Sequence, residues 1–122
     1  MKIFLIIFVL FFSSSVVADV GDLYYCETIK VIKVKTKGSE EFNNFEFKFK
    51  RNINKLIFNK GDNYFDDYDM EVKFSHLEFL RASEEFDVLL YNNGILLYSS
   101  NNLEDDINDA HIISIIANCD VF

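Results

Sequence analysis

Phe42-Asn43-Asn44-Phe45-Glu46-Phe47-Lys48-Phe49-Lys50-Arg51-Asn52-Ile53-Asn54-Lys55-Leu56-Ile57-Phe58-Asn59-Lys60-Gly61 is the stretch on which the fold of this 122-residue chain turns. Phe45, Phe47 and Phe49 alternate with Glu46, Lys48 and Lys50, so one side is aromatic and the other charged. That period of two is the mark of a half-buried strand. Arg51-Asn52-Ile53-Asn54 reads as a turn and Lys55–Phe58 as the returning strand. The Phe45, Phe47, Phe49 row is expected to face a core.

Working outward, Phe86 to Ser99 is the clearest second hairpin. Asn93-Gly94 is the favoured pair for a two-residue type I′ turn, and it sets Asn92 against Ile95, Tyr91 against Leu96 and Leu89 against Tyr98. Leu89, Tyr91, Leu96 and Tyr98 then share one face, and Phe86, Val88, Leu90, Ile95 and Leu97 the other. Two apolar faces predict a central ribbon with something packed on each side. Leu23 to Lys37 is β-rich, with Ile29 and Val31 on one parity and Ile32 and Val34 on the other, a slip that predicts a bulge. Lys30, Lys33, Lys35 and Lys37 are expected to point outward, and Gly38–Glu41 to form a turn. Met70, Val72, Phe74 and His76 begin a further strand that continues in shifted register through Leu80, implying a bulge or a tight turn near Ser75-His76. Ser83-Glu84-Glu85 turns the chain again, and Asn101–Asp109 is a polar connection with room for one helical turn. His111, Ile113, Ile115, Ala117 and Cys119 line one side of a last strand.

About seven or eight short strands and no 3.6-residue periodicity imply an all-β fold, a small antiparallel barrel or sandwich. Lys2 followed by the apolar run Ile3–Phe12 and by Ser13-Ser14-Ser15-Val16-Val17-Ala18 reads as a secretory signal peptide cleaved after Ala18. The run falls short of the ~20 residues a spanning helix needs. Residues 1–18 are thus expected to be removed, leaving 19–122 as one periplasmic or secreted domain with no membrane insertion, expected to be a monomer. Cys26 and Cys119 are the only two cysteines, and an even pair in an exported protein predicts a disulfide. Such a bridge joins the first strand to the last, which are neighbours in a meander only if the sheet closes. A barrel is therefore preferred to a sandwich.

The formal net charge is −8, which disfavours nucleic acid because phosphate binding requires a basic surface. Charge is divided unevenly: Thr28–Lys60 holds nine basic and three acidic residues, Gly61–Phe122 two basic and fourteen acidic. Lys30, Lys33, Lys35, Lys48, Lys50 and Arg51 are accordingly the candidate docking surface for an acidic protein or a small ligand. Tyr91 and Tyr98 complete the candidate contact residues.

Catalytic chemistry finds little footing. His76 and His111 stand alone on strands, where a partly buried structural histidine is the ordinary outcome; no HExxH or His-x-His spacing supports zinc. There is no nucleophile elbow and no glycine-rich phosphate loop. Asp62, Asp66, Asp67 and Asp69 are the best metal candidates, yet their spacing departs from the EF-hand loop and a solvated acidic turn is expected. No cofactor is expected. A hydrolase working through the acids of the 61–69 loop is the enzymatic alternative. A membrane barrel ending on Phe122 is a further one, but Asp120 and Asn118 fit its lipid-facing positions poorly.

The opening Leu23-Tyr24-Tyr25-Cys26, the central Phe47-Lys48-Phe49-Lys50-Arg51 and the ending Asn118-Cys119-Asp120-Val121-Phe122 together resemble a group of short exported proteins from AT-rich marine bacteria and phages. That resemblance spans nearly all of 19–122 and implies a fold without a role. In layout alone, a Tyr-x-Cys near the first strand and a Cys near the end is similar to the periplasmic inhibitors of c-type lysozyme, small eight-stranded barrels. Their Ser-x-x-Gly-x-x-Tyr loop is missing here, so no inhibitory residue is implied. The expectation is a non-enzymatic exported barrel that binds a ligand or protein, with a structural envelope role as the bland alternative.

Overall fold

The computed structural model describes residues 21–58 and 64–122; the expected signal segment 1–18 and residues 59–63 lie outside them. Among the described residues nine strands follow one another: β1 (Leu23–Lys35), β2 (Gly38–Phe42), β3 (Glu46–Arg51), β4 (Lys55–Phe58), β5 (Asp69–His76), β6 (Phe79–Glu84), β7 (Asp87–Asn92), β8 (Ile95–Asn102) and β9 (His111–Val121). All neighbours are antiparallel. The order β1-β3-β4-β5-β6-β7-β8-β9 returns to β1 through the β1–β9 ladder, so eight strands close a barrel and β2 is appended at its edge. A barrel of eight strands is just wide enough for side chains to fill. Here they do: Tyr24, Phe49, Leu56, Met70, Leu89 and Leu96 are all fully buried inside. Each such side chain stabilises the fold by about 1.5–3 kcal/mol.

Phe47 and Phe49 face that core as their alternation predicts, with Phe45 half-buried beside them. The turn after Arg51 is closed by the Asn52 N–H donating to the Lys55 carbonyl at 2.8 Å. The Asn93-Gly94 hairpin has the expected register, and both residues adopt positive φ, 48° and 86°. Cys26 and Cys119 form the predicted disulfide.

The first hairpin departs from expectation. Gly38–Phe42 is strand, not turn; the turn is Thr36-Lys37, since Lys35 already pairs with Gly38. β2 and β3 lie along the same edge of β1 in one continuous register, Val31 opposite Phe42 and Glu27 opposite Glu46. They amount to one long return strand interrupted at residues 43–45. There the Phe45 N–H donates to Thr28 Oγ1 at 2.8 Å and the Thr28 N–H to the Phe45 carbonyl at 3.0 Å. An edge strand exposed on both faces has no reason to alternate apolar and polar residues. That is why Gly38-Ser39-Glu40-Glu41 looks like a loop.

The predicted bulge in β1 falls between Thr28 and Lys30. Of the two alternatives expected near Ser75-His76 the tight turn occurs, at Leu77-Glu78, and a bulge lies earlier on β5, between Val72 and Phe74. The bulge turns Phe74 outward, where it packs against Phe79 at 5.7 Å. β6 runs on to Glu84, so the next turn is Glu85-Phe86. In the polar connection, the Asp109 and Ala110 N–H groups both donate to the Asp106 carbonyl, a single turn. The Phe86–Ser99 ribbon is not covered on both sides. Leu89, Tyr91, Leu96 and Tyr98 fill the barrel, while Val88, Ile95 and Leu97 lie exposed on its outer wall.

Candidate functional site

The interior offers no ligand cavity among the described residues, because the aromatic residues just before β5 fill one end of the barrel. Phe65 is 1% exposed, stacks on Phe58 at 4.5 Å and meets Tyr98 edge-on at 4.8 Å. Tyr64 and Tyr68 flank it. The Tyr68 hydroxyl donates to Asp87 Oδ2 at 2.5 Å, tying this segment to β7. Nothing in the acidic appearance of Tyr64-Phe65-Asp66-Asp67-Tyr68-Asp69 announces that its aromatic residues are a plug. The only cue was the aromatic content itself.

The acids of that loop do not assemble a metal site. Asp62 lies outside the described residues, Asp66 and Asp67 are exposed, and Asp69 pairs with Lys55 at 3.5 Å. Among the described residues, no three His, Cys, Asp or Glu side chains are grouped to hold a metal ion. His76 is exposed at a hairpin end, contrary to the structural role expected of it. His111 is half-buried, with Nδ1 3.0 Å from the Asp109 carbonyl oxygen.

The expected basic surface is divided. Because of the bulge at Ile29, Lys30 lies on the outer wall while Lys33 and Lys35 share the face of buried Val31. Lys33 stands opposite Glu40 there. Lys48 and Lys50 are outward on β3, and Lys48 sits over the Tyr25 ring at 5.9 Å. Arg51 does not belong to the surface at all: it is 9% exposed and its guanidinium donates to Ser75 Oγ. Its Nε and the neighbouring Tyr24 hydroxyl are buried without a hydrogen-bond partner among the described residues. Burial pushes the Tyr24 pKa up and the adjacent guanidinium opposes that rise, though the geometry falls short of a hydrogen bond.

Tyr91 and Tyr98 are corrected from contact residues to core. Both are nearly inaccessible. Tyr91 meets Tyr24 edge-on at 5.2 Å and donates no surface to a ligand; its hydroxyl oxygen accepts from the Gly94 N–H at 3.1 Å. Burial is the largest cause of an upward pKa shift at Tyr24, Tyr64, Tyr68, Tyr91 and Tyr98 alike. At Tyr68 the Asp87 carboxylate adds to it. These phenols stay protonated near neutrality, and the Tyr68 hydroxyl donates to Asp87.

Two outer surfaces remain. Outside the disulfide, a groove of about 460 Å³ is lined by Tyr25, Glu27, Glu46, Lys48, Asn118 and Asp120, a mixture of both charges. The other lies across β7, β8 and β9, where Leu90, Leu97 and Ile116 follow one another in register. Val88 joins them around a shallow groove of about 300 Å³. Large apolar side chains exposed in a contiguous patch mark interaction surfaces in soluble proteins. Val88, Leu90 and Leu97 were expected on a covered face of the ribbon. No protein-family model, no curated protein and no solved structure matches this chain.

Proposed function

We propose that this protein is an exported, non-enzymatic β-barrel that binds a protein partner on its outer wall, the face formed by β7, β8 and β9. The observation that carries the reading is the pairing of a filled interior with the outward row of half-buried Leu90 and exposed Leu97 and Ile116. A barrel that stores a small ligand keeps a lined cavity; this one spends its interior on Tyr24, Phe49, Phe65 and their neighbours. Export rests on the leader-like residues 1–18 and agrees with a disulfide, which persists in oxidising compartments. A purely structural role is the second reading, favoured by the same filled interior, and the outer face separates the two.

Leu97 is 45% exposed, so Leu97→Asp should leave the fold intact. Immobilised wild-type protein should retain a partner from an extracellular or periplasmic extract that the variant does not. Identical capture by both forms would leave the structural role standing. Thermal stabilisation by fatty acids or other small apolar molecules would instead restore the cavity reading.

A further inference from the structure

The outer wall of β7–β9 is notable for what it lacks. From the row Val88–Ser99–Ser114 to the row Asn92–Ile95–Asn118, no outward side chain is charged, in a chain with net charge −8. The middle row is Leu90–Leu97–Ile116, and it ends on a cation at each side. Arg81 of β6 is the cross-strand partner of Leu90, and Lys30 of β1 is that of Ile116. Both are exposed, and neither makes an ion pair with a described residue. Arg81 and Lys30 stand four strand spacings apart, ~19 Å along the curved wall. The row on the Asn118 side ends on Glu27.

Resting on the docking role above, we infer that the partner presents an apolar ridge flanked on both sides by carboxylates. The apolar strip would desolvate against Leu90, Leu97 and Ile116, and Arg81 and Lys30 would pair at the rim, setting orientation and encounter rate. Ser99 and Ser114 on one side of that row, and Asn92 and Asn118 on the other, offer hydrogen-bonding groups to the partner. A second copy of this chain suits the face poorly. A two-fold axis through Leu97 would run the rows antiparallel and set Arg81 of one copy against Lys30 of the other. An anionic lipid surface would meet the repulsion of the chain's net charge of −8.

The test uses the oxidised protein and two synthetic amphipathic peptides with one apolar face, flanked by glutamates in the first and by lysines in the second. In titrations followed by amide NMR, the glutamate peptide should shift Leu90, Leu97 and Ile116 and bind about tenfold more tightly than the lysine peptide. Combining Arg81→Glu with Lys30→Glu should reverse the preference. Equal binding of the two peptides on this face overturns the carboxylate-flanked partner while leaving the docking role intact. No shift with either, together with unchanged capture by Leu97→Asp, overturns both. Sedimentation showing a dimer that Leu97→Asp dissolves gives the face to a second copy. Co-sedimentation with phosphatidylcholine–phosphatidylglycerol vesicles, lost in the same variant, gives it to lipid; either result overturns the inference.

Discussion

Cys26 of β1 faces Cys119 of β9 directly across the ladder that closes the barrel, their Cα atoms 4.0 Å apart and their sulfurs bonded. The bridge spans a sequence separation of 93 residues, so it joins the two ends of the meander at the seam. The same seam is hydrogen-bonded further down, where Leu23 and Phe122 exchange both backbone bonds at 3.1 and 2.9 Å. Closing so long a loop stabilises the folded chain by about 4–5 kcal/mol in the chain-entropy model. Replacing both cysteines by serine should therefore lower the unfolding free energy by that order in urea denaturation. A loss below about 1 kcal/mol would show that the ladder alone holds the seam.

Leu77 opens the β5–β6 turn with φ 54° and is 75% exposed. A left-handed backbone costs an L-residue about 1–2 kcal/mol, and this side chain gains little burial in return. Glycine suits a first turn position with positive φ. Leu77→Gly should stabilise the protein by up to about 1 kcal/mol after the extra unfolded-state entropy of glycine is subtracted, read as a higher melting temperature.

Glu27 and Glu46 are paired residues of the β1–β3 ladder, both exposed on the outer wall. Like charges directly opposite one another weaken a sheet by a few tenths of a kcal/mol to ~1 kcal/mol. Glu46→Lys should stabilise the protein at low ionic strength and do so less in high salt. A salt-independent gain would point to packing instead.

The buried tyrosines predict alkaline sensitivity. Tyr24, Tyr91 and Tyr98 have folded pKa values raised above the ordinary 10.0, burial being the first cause in each. Below pH 10 both states keep these protons, and the stability they carry is fully present. Above it the unfolded chain releases them while the fold does not, so stability falls as pH rises, by about 1.4 kcal/mol per pH unit for each group. Urea titrations from pH 8 upward should show a plateau and then a decline, and Tyr98→Phe should make the decline shallower by about one proton.

The hydrogen bond from Tyr68 to Asp87 should anchor the plug segment. Bonds to charged groups contribute about 1.5–3 kcal/mol. Tyr68→Phe should destabilise the protein by that order and speed amide exchange at Phe65 and its neighbours. Unchanged exchange would mean that the aromatic stacking of Phe65 on Phe58 suffices.

Legibility followed the local rules. The alternation of Phe45, Phe47 and Phe49, the Asn93-Gly94 turn and the parity of the last strand all act over a few residues, and each was readable from the chain. The misreadings have one physical source. A strand residue's face is set by its parity, and parity changes at every bulge. The slip near Ile29 was visible, but which lysines it would send outward depended on the pairing of β1 with β9. Arg51 follows Phe47 and Phe49 on the inward parity of β3 and is buried with them. Its charge made it look like surface; the barrel mouth, with Ser75 brought across from β5, accommodates it.

Composition, periodicity and the cysteine pair by themselves determined an all-β chain, its two clearest hairpins and a bridge from first strand to last. The hairpins are consequences of local backbone geometry, and the bridge follows from an even cysteine pair in a chain read as exported. Only the tertiary structure decided that Tyr91 and Tyr98 are core, that Phe65 plugs the barrel, and that Leu90, Leu97 and Ile116 lie on its outer wall. An apolar residue looks the same in sequence whether it is covered by its own chain or left for another. Closing the sheet is what gives each strand an inside and an outside, and so distinguishes the two.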